Sequence, residues 1–130
     1  MPSHIVLIED DRDLRAEILE FLLRRRHRVT ACASLQEATD ALAHVEDKAL
    51  APDAIVSDIN LPDGDGCNFY VANARRFPGT RWILMSGNHD LVRIGNRLKH
   101  LSDLPACAVI DKPVPLRLLG RFVDTDAQAA

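Results

Sequence analysis

A chain of 130 residues with 47% hydrophobic residues has room for one domain with a genuine core and none for a second. Its net charge of -3, dispersed without long single-sign runs, argues against a nucleic-acid-binding surface, and no apolar run reaches the roughly 18 residues of a membrane helix. Cys32, Cys67 and Cys107 form neither an even set nor a C-x-x-C pair, and "MPSHIVLIEDD" lacks the basic start and cleavage site of a signal peptide, so reduced thiols and a cytoplasmic location are expected.

In chain order, "HIVLIED" is a short apolar run rich in β-branched residues, which predicts a strand buried on both faces near residues 4 to 9. From Asp11 to Arg26, Leu14, Ile18, Phe21, Leu22 and Leu23 recur at helical spacing, and Arg24, Arg25 and Arg26 gather at the end that the macrodipole makes negative. "HRVTACA" predicts the second strand. Ser34 with Glu37 three residues on is a capping-box signature that opens a helix over "LQEATDALAHV". The third strand is "AIVSD", residues 54 to 58. A helix follows the Gly64 to Gly66 turn and runs to about Phe77, where Pro78 and Gly79 break it. "RWILMS" is the fourth strand. A fourth helix carries Leu91, Ile94, Leu98 and Leu101, "CAVID" is the fifth strand, and a last helix runs from Leu116 to Val123. Short apolar strands alternating with helices require parallel pairing through crossovers, so the fold class is α/β. "DTDAQAA" reads as a frayed end or the start of a linker.

In open sheets of this kind ligands bind beyond the carboxyl ends of the strands. There the sequence sets Glu9 and Asp10, Asp58, Ser86, and Asp111 followed by Lys112 and Pro113. Each of these alone has a plain explanation: an acidic pair favoured at a helix start, a turn in "PDGDG", a capping serine, a surface lysine. Their convergence on one sheet edge does not. Carboxylates ~4 Å apart repel by roughly 4 kcal/mol at an effective dielectric of 20, so they require positive charge, of which Lys112 supplies one unit. Oxygen ligands without nearby His or Cys select a hard cation, and a few carboxylates on a rigid edge suit Mg²⁺. Asp58 beside such a cation can attack phosphorus in line and carry the phosphoryl group, while Ser86 hydrogen-bonds an equatorial oxygen and Gly87 leaves the spot open to a donor. The five histidines show no ligand spacing and are expected at the surface, Asp11 and Asp13 belong to a first helical turn, and Trp82 to the core or a partly exposed anchor.

These motifs resemble the receiver domain of two-component response regulators over residues 4 to about 124, with residues 125 to 130 as tail. "VLIEDD" resembles the family's acidic motif, "IVSDINLPDGDG" its phosphoacceptor motif, "ILMSGN" its switch hydroxyl and "VIDKPV" its Lys-Pro pair. The resemblance implies a five-stranded parallel sheet of order 2-1-3-4-5, flavodoxin-like and doubly wound, with Asp58 as phosphoacceptor. It assigns metal binding to Asp10 directly, Glu9 through water, Asp58 and the Asn60 carbonyl, and phosphoryl contacts to Ser86, Gly87 and Lys112. Histidine kinases or histidine phosphotransferases are the implied donors. A downstream effector or a second copy would dock through the fourth helix, fifth strand and fifth helix. Direct DNA binding and membrane association are not expected.

Three positions depart from the commonest family pattern. Ser86 stands for the more frequent Thr, Asn60 is polar where many relatives are apolar, and Val109 occupies the place of a switching aromatic. Asn60 and Asn88 are positioned to orient a hydrolytic water, which predicts a short-lived phosphate. Val109 is too short to alternate between solvent and core, which moves any switch toward the start of the fourth helix or leaves a relay with little surface change. Two competing functions remain at this stage. A haloacid dehalogenase-type phosphatase also uses a strand-end Asp, magnesium and a Lys, but needs a second Asp where this chain has Asn60. A degenerate receiver that binds partners constitutively conflicts with the complete set of Glu9, Asp10, Asp58 and Lys112.

Overall fold

A computed structural model of the protein describes residues 3–43, 45, 50–87, 104–105 and 107–124. Five strands, β1 (His4–Ile8), β2 (Arg28–Cys32), β3 (Ala54–Asp58), β6 (Arg81–Ser86) and β7 (Cys107–Asp111), form one parallel sheet in the order β2-β1-β3-β6-β7. Two further strands of two residues each, β4 (Asn60–Leu61) and β5 (Gly64–Asp65), make a small antiparallel hairpin directly after β3. With that hairpin left out of the count, the order is the expected 2-1-3-4-5. The helices are α1 (Arg12–Arg24), α2 (Leu35–Leu42), α3 (Gly66–Asn73) and the C-terminal helix Leu116–Val123. No helix among the described residues is long and apolar enough to cross a membrane.

Side chains alternate across a strand, so each central strand feeds two cores. Ile5 and Leu7 of β1, Ala54 and Val56 of β3, and Ile83 and Met85 of β6 pack with Ile18 and Leu22 of α1 and with Leu119 and Val123 of the C-terminal helix. Val6, Ile8, Ile55 and Trp82 face the other way, onto Ala38 and Leu42 of α2 and Phe69 and Tyr70 of α3. Trp82 is wholly inside, edge-on to Tyr70 with ring centroids 5.2 Å apart. Each fully buried Leu, Ile or Val contributes about 1.5–3 kcal/mol, which is why the sheet edge can carry an unfavourable cluster of charge. β3 is buried along its whole length, including Ser57 and Asp58.

The helices begin where their caps dictate. Asp11 is the N-cap of α1, its Oδ1 accepting from the N–H groups of Asp13 and Leu14, so α1 opens one residue later than the periodicity indicated. Ser34 caps α2 through the Glu37 N–H at 3.2 Å, as expected of the capping box. At the other end of α1 the chain leaves the helix through Arg26, whose φ of 70° lies in the left-handed region common just past helix termini. α3 stops at Asn73 and passes into a 3-10 turn, Ala74–Arg76, before reaching Phe77. His27 is a correction to the surface reading of the histidines: it is buried between the ends of α1 and the C-terminal helix, with Nε2 2.9 Å from Asp124 Oδ1. The predicted fourth helix, Asn88 and the tail from residue 125 lie outside the described residues.

Candidate functional site

Glu9 follows the last residue of β1 and is completely buried, Asp10 beside it is exposed, and Asp58 ends β3 with 5% of its surface accessible. Because β1 pairs directly with β3, these two strand ends are neighbours. One ligand oxygen from each of the three carboxylates lies within 4.8 Å of the others. β7 delivers the counter-charge: Lys112 Nζ donates to Glu9 Oε1 at 2.7 Å and to Asp58 Oδ2 at 3.0 Å. The Lys112 N–H in turn donates to the Ser86 carbonyl at 2.8 Å, which ties the lysine to the end of β6. Ser86 itself is buried, paired with Asp111 across β6 and β7.

The electrostatics follow from this geometry. Burial is the largest influence on Glu9 and pushes its carboxyl upward, only partly offset by hydrogen bonds from Lys112 and from the Asp11 N–H, while the Asp58 charge pushes it further. Burial pulls Lys112 down, but its hydrogen bonds to Glu9 and Asp58 and their charges outweigh this, so the ammonium is held above its ordinary range. Among the described residues, Lys112 thus contacts two of the three clustered carboxylates, Glu9 and Asp58.

Local backbone aims Asp58. The Asn60 N–H donates to Asp58 Oδ1 at 3.2 Å, and the Ser57 hydroxyl donates to the Asp58 carbonyl at 2.9 Å. Gly66 allows the return of the chain: a Cβ there would stand 2.2 Å from the Asp58 carbonyl oxygen, and its N–H donates to the Ile59 carbonyl at 2.8 Å. Among the described residues, a Cβ at Gly87 would meet only Lys112 Cδ, at an ordinary contact distance of 3.7 Å. Asn60 is exposed at the rim of the hairpin. Val109 is partly buried and packs against the cluster of Ile59, Cys67 and Leu84.

Two contributors escaped the reading of the sequence. Arg15, in the first turns of α1, reaches back so that Nη1 donates to the Glu9 carbonyl at 2.9 Å and approaches the Asp10 carbonyl at 3.4 Å. Asp63, read as a turn residue, binds the N-terminus of α2. Spacing offered a weak signal for Arg15, one turn beyond the Asp11 cap, and none for Asp63, whose partners lie 28 and 27 residues away.

An acidic pair, a strand-end Asp and a Lys on the carboxyl edge of a 2-1-3-4-5 sheet define a receiver-type α/β domain. The chain belongs to the response regulator receiver domain family, whose model matches residues 5–123. It is 31% identical over 117 residues to the two-component response regulator ORR26 of Oryza sativa subsp. japonica, covering 88% of this chain and 18% of that protein. To the response regulator protein FleR of Pseudomonas aeruginosa it is 31% identical over 86 residues, 66% of this chain and 17% of that protein. The chain therefore spans about a fifth of the length of these relatives. A CheY-like receiver domain protein from Methanospirillum hungatei shares the fold over all of both chains, with a TM-score of 0.77 and 22% identity. Two-component signalling is the context, and Mg²⁺ is the ion typical of the family. The residues fit that ion, since the donor set found among the described residues consists of carboxylate oxygens, one exposed and two buried.

Proposed function

We propose that this domain accepts a phosphoryl group on Asp58 from a histidine kinase or histidine phosphotransferase and carries it as an aspartyl phosphate. The observation that supports this reading above the others is the pair of contacts from Lys112 Nζ to Glu9 and Asp58, within a cluster that also holds the exposed Asp10 carboxylate. Asp10, Asp58 and the Asn60 carbonyl would hold Mg²⁺, with Glu9 acting through water. When bound, the ion neutralises charge on the transferred group and its acceptor. The chain does the remainder. The Asp58 carboxylate oxygen forms the new O–P bond while the N–P bond of the donor phosphohistidine breaks, and the departing imidazole takes a proton. Lys112 exchanges its contact with Asp58 for one with a phosphoryl oxygen, and the Ser86 hydroxyl is placed at the end of the adjacent strand to donate to another. Gly87 leaves the approach clear. The domain thus catalyses its own phosphorylation and hydrolysis, acting as a signalling module. A constitutive interaction module would have no use for a lysine held between two acids.

Incubation with Mg²⁺ and a small phosphodonor should add one phosphoryl mass, and borohydride reduction should map it to Asp58. Asp58→Asn should abolish the adduct. Label retained in that variant overturns the assignment, and a wild-type chain that takes no label supports the constitutive module.

A further inference from the structure

The hairpin after Asp58 is held from two sides by its own acids. Asp65 caps α3, its Oδ1 accepting from the Cys67 N–H at 2.7 Å and the Asn68 N–H at 3.2 Å. Asp63 reaches across to α2: Oδ1 accepts from the Leu35 N–H at 3.0 Å and Oδ2 from the Gln36 N–H at 2.9 Å. Ser34 takes the next one, Glu37, so the first three N–H groups of α2 are satisfied, two of them by the hairpin. The contact is also steric. At Gly64, where φ is 156°, a Cβ would stand 2.8 Å from Leu35 Cδ1, and Leu35 and Leu61 pack against the same core cluster. The hydrogen bonds from Leu35 and then Gln36 keep the Asp63 carboxyl below its ordinary range, so it is ionised where it faces the positive end of the α2 dipole.

A hairpin of two residues per strand has little stability of its own. Its register, Asn60 with Asp65 and Leu61 with Gly64, nonetheless sets where the Asn60 backbone points, one residue from Ile59 and two from Asp58. The rigidity must therefore come from the anchors. Resting on the reading of the site as a magnesium-dependent phosphoacceptor, we infer that Asp63 is a positioning residue that fixes the hairpin against α2 and, through it, the Asn60 carbonyl on the metal side of Asp58. Metal binding and order at the start of α2 are then coupled in both directions, since a coupling free energy between two sites is reciprocal. The β2–α2 corner becomes a place where occupancy of the site is felt.

Asp63→Ala and Ser34→Ala each remove a cap from the same helix end, but only the first releases the hairpin. In amide NMR titrations of the full chain, Mg²⁺ affinity should fall about tenfold in Asp63→Ala, the low end of the scale for outer-shell partners of metal ligands. Asp63→Asn, which keeps one acceptor oxygen, should fall between that variant and wild type, and Ser34→Ala should stay within about twofold of wild type. In the wild type, Mg²⁺ with beryllofluoride should shift the Leu35 and Gln36 amides and slow their exchange. Wild-type affinity in Asp63→Ala, or an equal loss in Ser34→Ala, overturns the positioning role while leaving the phosphoacceptor reading intact. A wild-type chain that binds neither Mg²⁺ nor beryllofluoride overturns both.

Discussion

The two edges of the sheet carry charged groups in opposite arrangements. At the carboxyl edge the carboxylates of Glu9, Asp10 and Asp58 cluster, and Lys112 contacts two of them, Glu9 and Asp58. At the amino edge the charges are matched inside the chain. Asp53 Oδ2 accepts from the His4 N–H at 2.8 Å, Arg81 donates to the carbonyls of Phe122 and Val123 at the end of the C-terminal helix, and Asp124 is bound by Arg25 and His27. Gly120 lets that helix come close to α1, since a Cβ there would stand 3.2 Å from Phe21 Cζ and from Arg25 Cζ. One edge is closed and acts as a clasp. The other gathers three carboxylates beside Lys112, and the proposed cation would relieve their repulsion.

The largest test of this contrast is to delete one carboxylate from each edge. Asp10→Ala should abolish magnesium-dependent phosphorylation, read by mass, yet slightly raise the melting temperature of the metal-free protein, because it relieves repulsion. Asp124→Ala should do the reverse, leaving phosphorylation in place and costing roughly 1–2 kcal/mol in urea unfolding, because Arg25 and His27 lose their shared acceptor. If both variants shift stability in the same direction, the distinction between the edges fails.

The smallest expected effect sharpens the same comparison through pH. Burial, then the charges of Arg25 and Arg81, hold His27 below its ordinary value of 6.5, against the opposing charge of Asp53. A depressed folded pKa means that the unfolded chain binds more protons between the two values, so the stability due to neutral His27 is complete above pH 6.5 and is lost as pH falls below it. His27→Gln should therefore flatten the decline in urea midpoint on the acid side of pH 6.5 relative to wild type. An unchanged pH slope would show that His27 does not titrate differently in the folded state.

Elements with a strong local signal were legible. The bounds of β3, β6, β7 and the C-terminal helix match their sequence readings, since apolar runs closed by polar residues or Pro leave little choice of ends. α3 was read too long because its termination is a 3-10 tightening at Ala74 rather than the Pro78–Gly79 break. β4 and β5 were not foreseen, because two-residue strands carry no periodicity. His27 was misplaced because a histidine flanked by arginines looks exposed until two helix ends close over it.

Residue types at strand ends, and their order along the chain, suffice to identify Glu9, Asp10, Asp58 and Lys112 as one set, because a parallel sheet must bring its carboxyl ends to one edge. The α/β class follows from the same alternation of apolar runs. Folding alone decided that Lys112 contacts both Glu9 and Asp58, that Arg15 turns back on the acidic loop, and that Asp63 caps a helix 28 residues earlier. Each of those is a contact between segments distant in sequence, whose distance and direction come from how the layers pack, and no local pattern of residues encodes them.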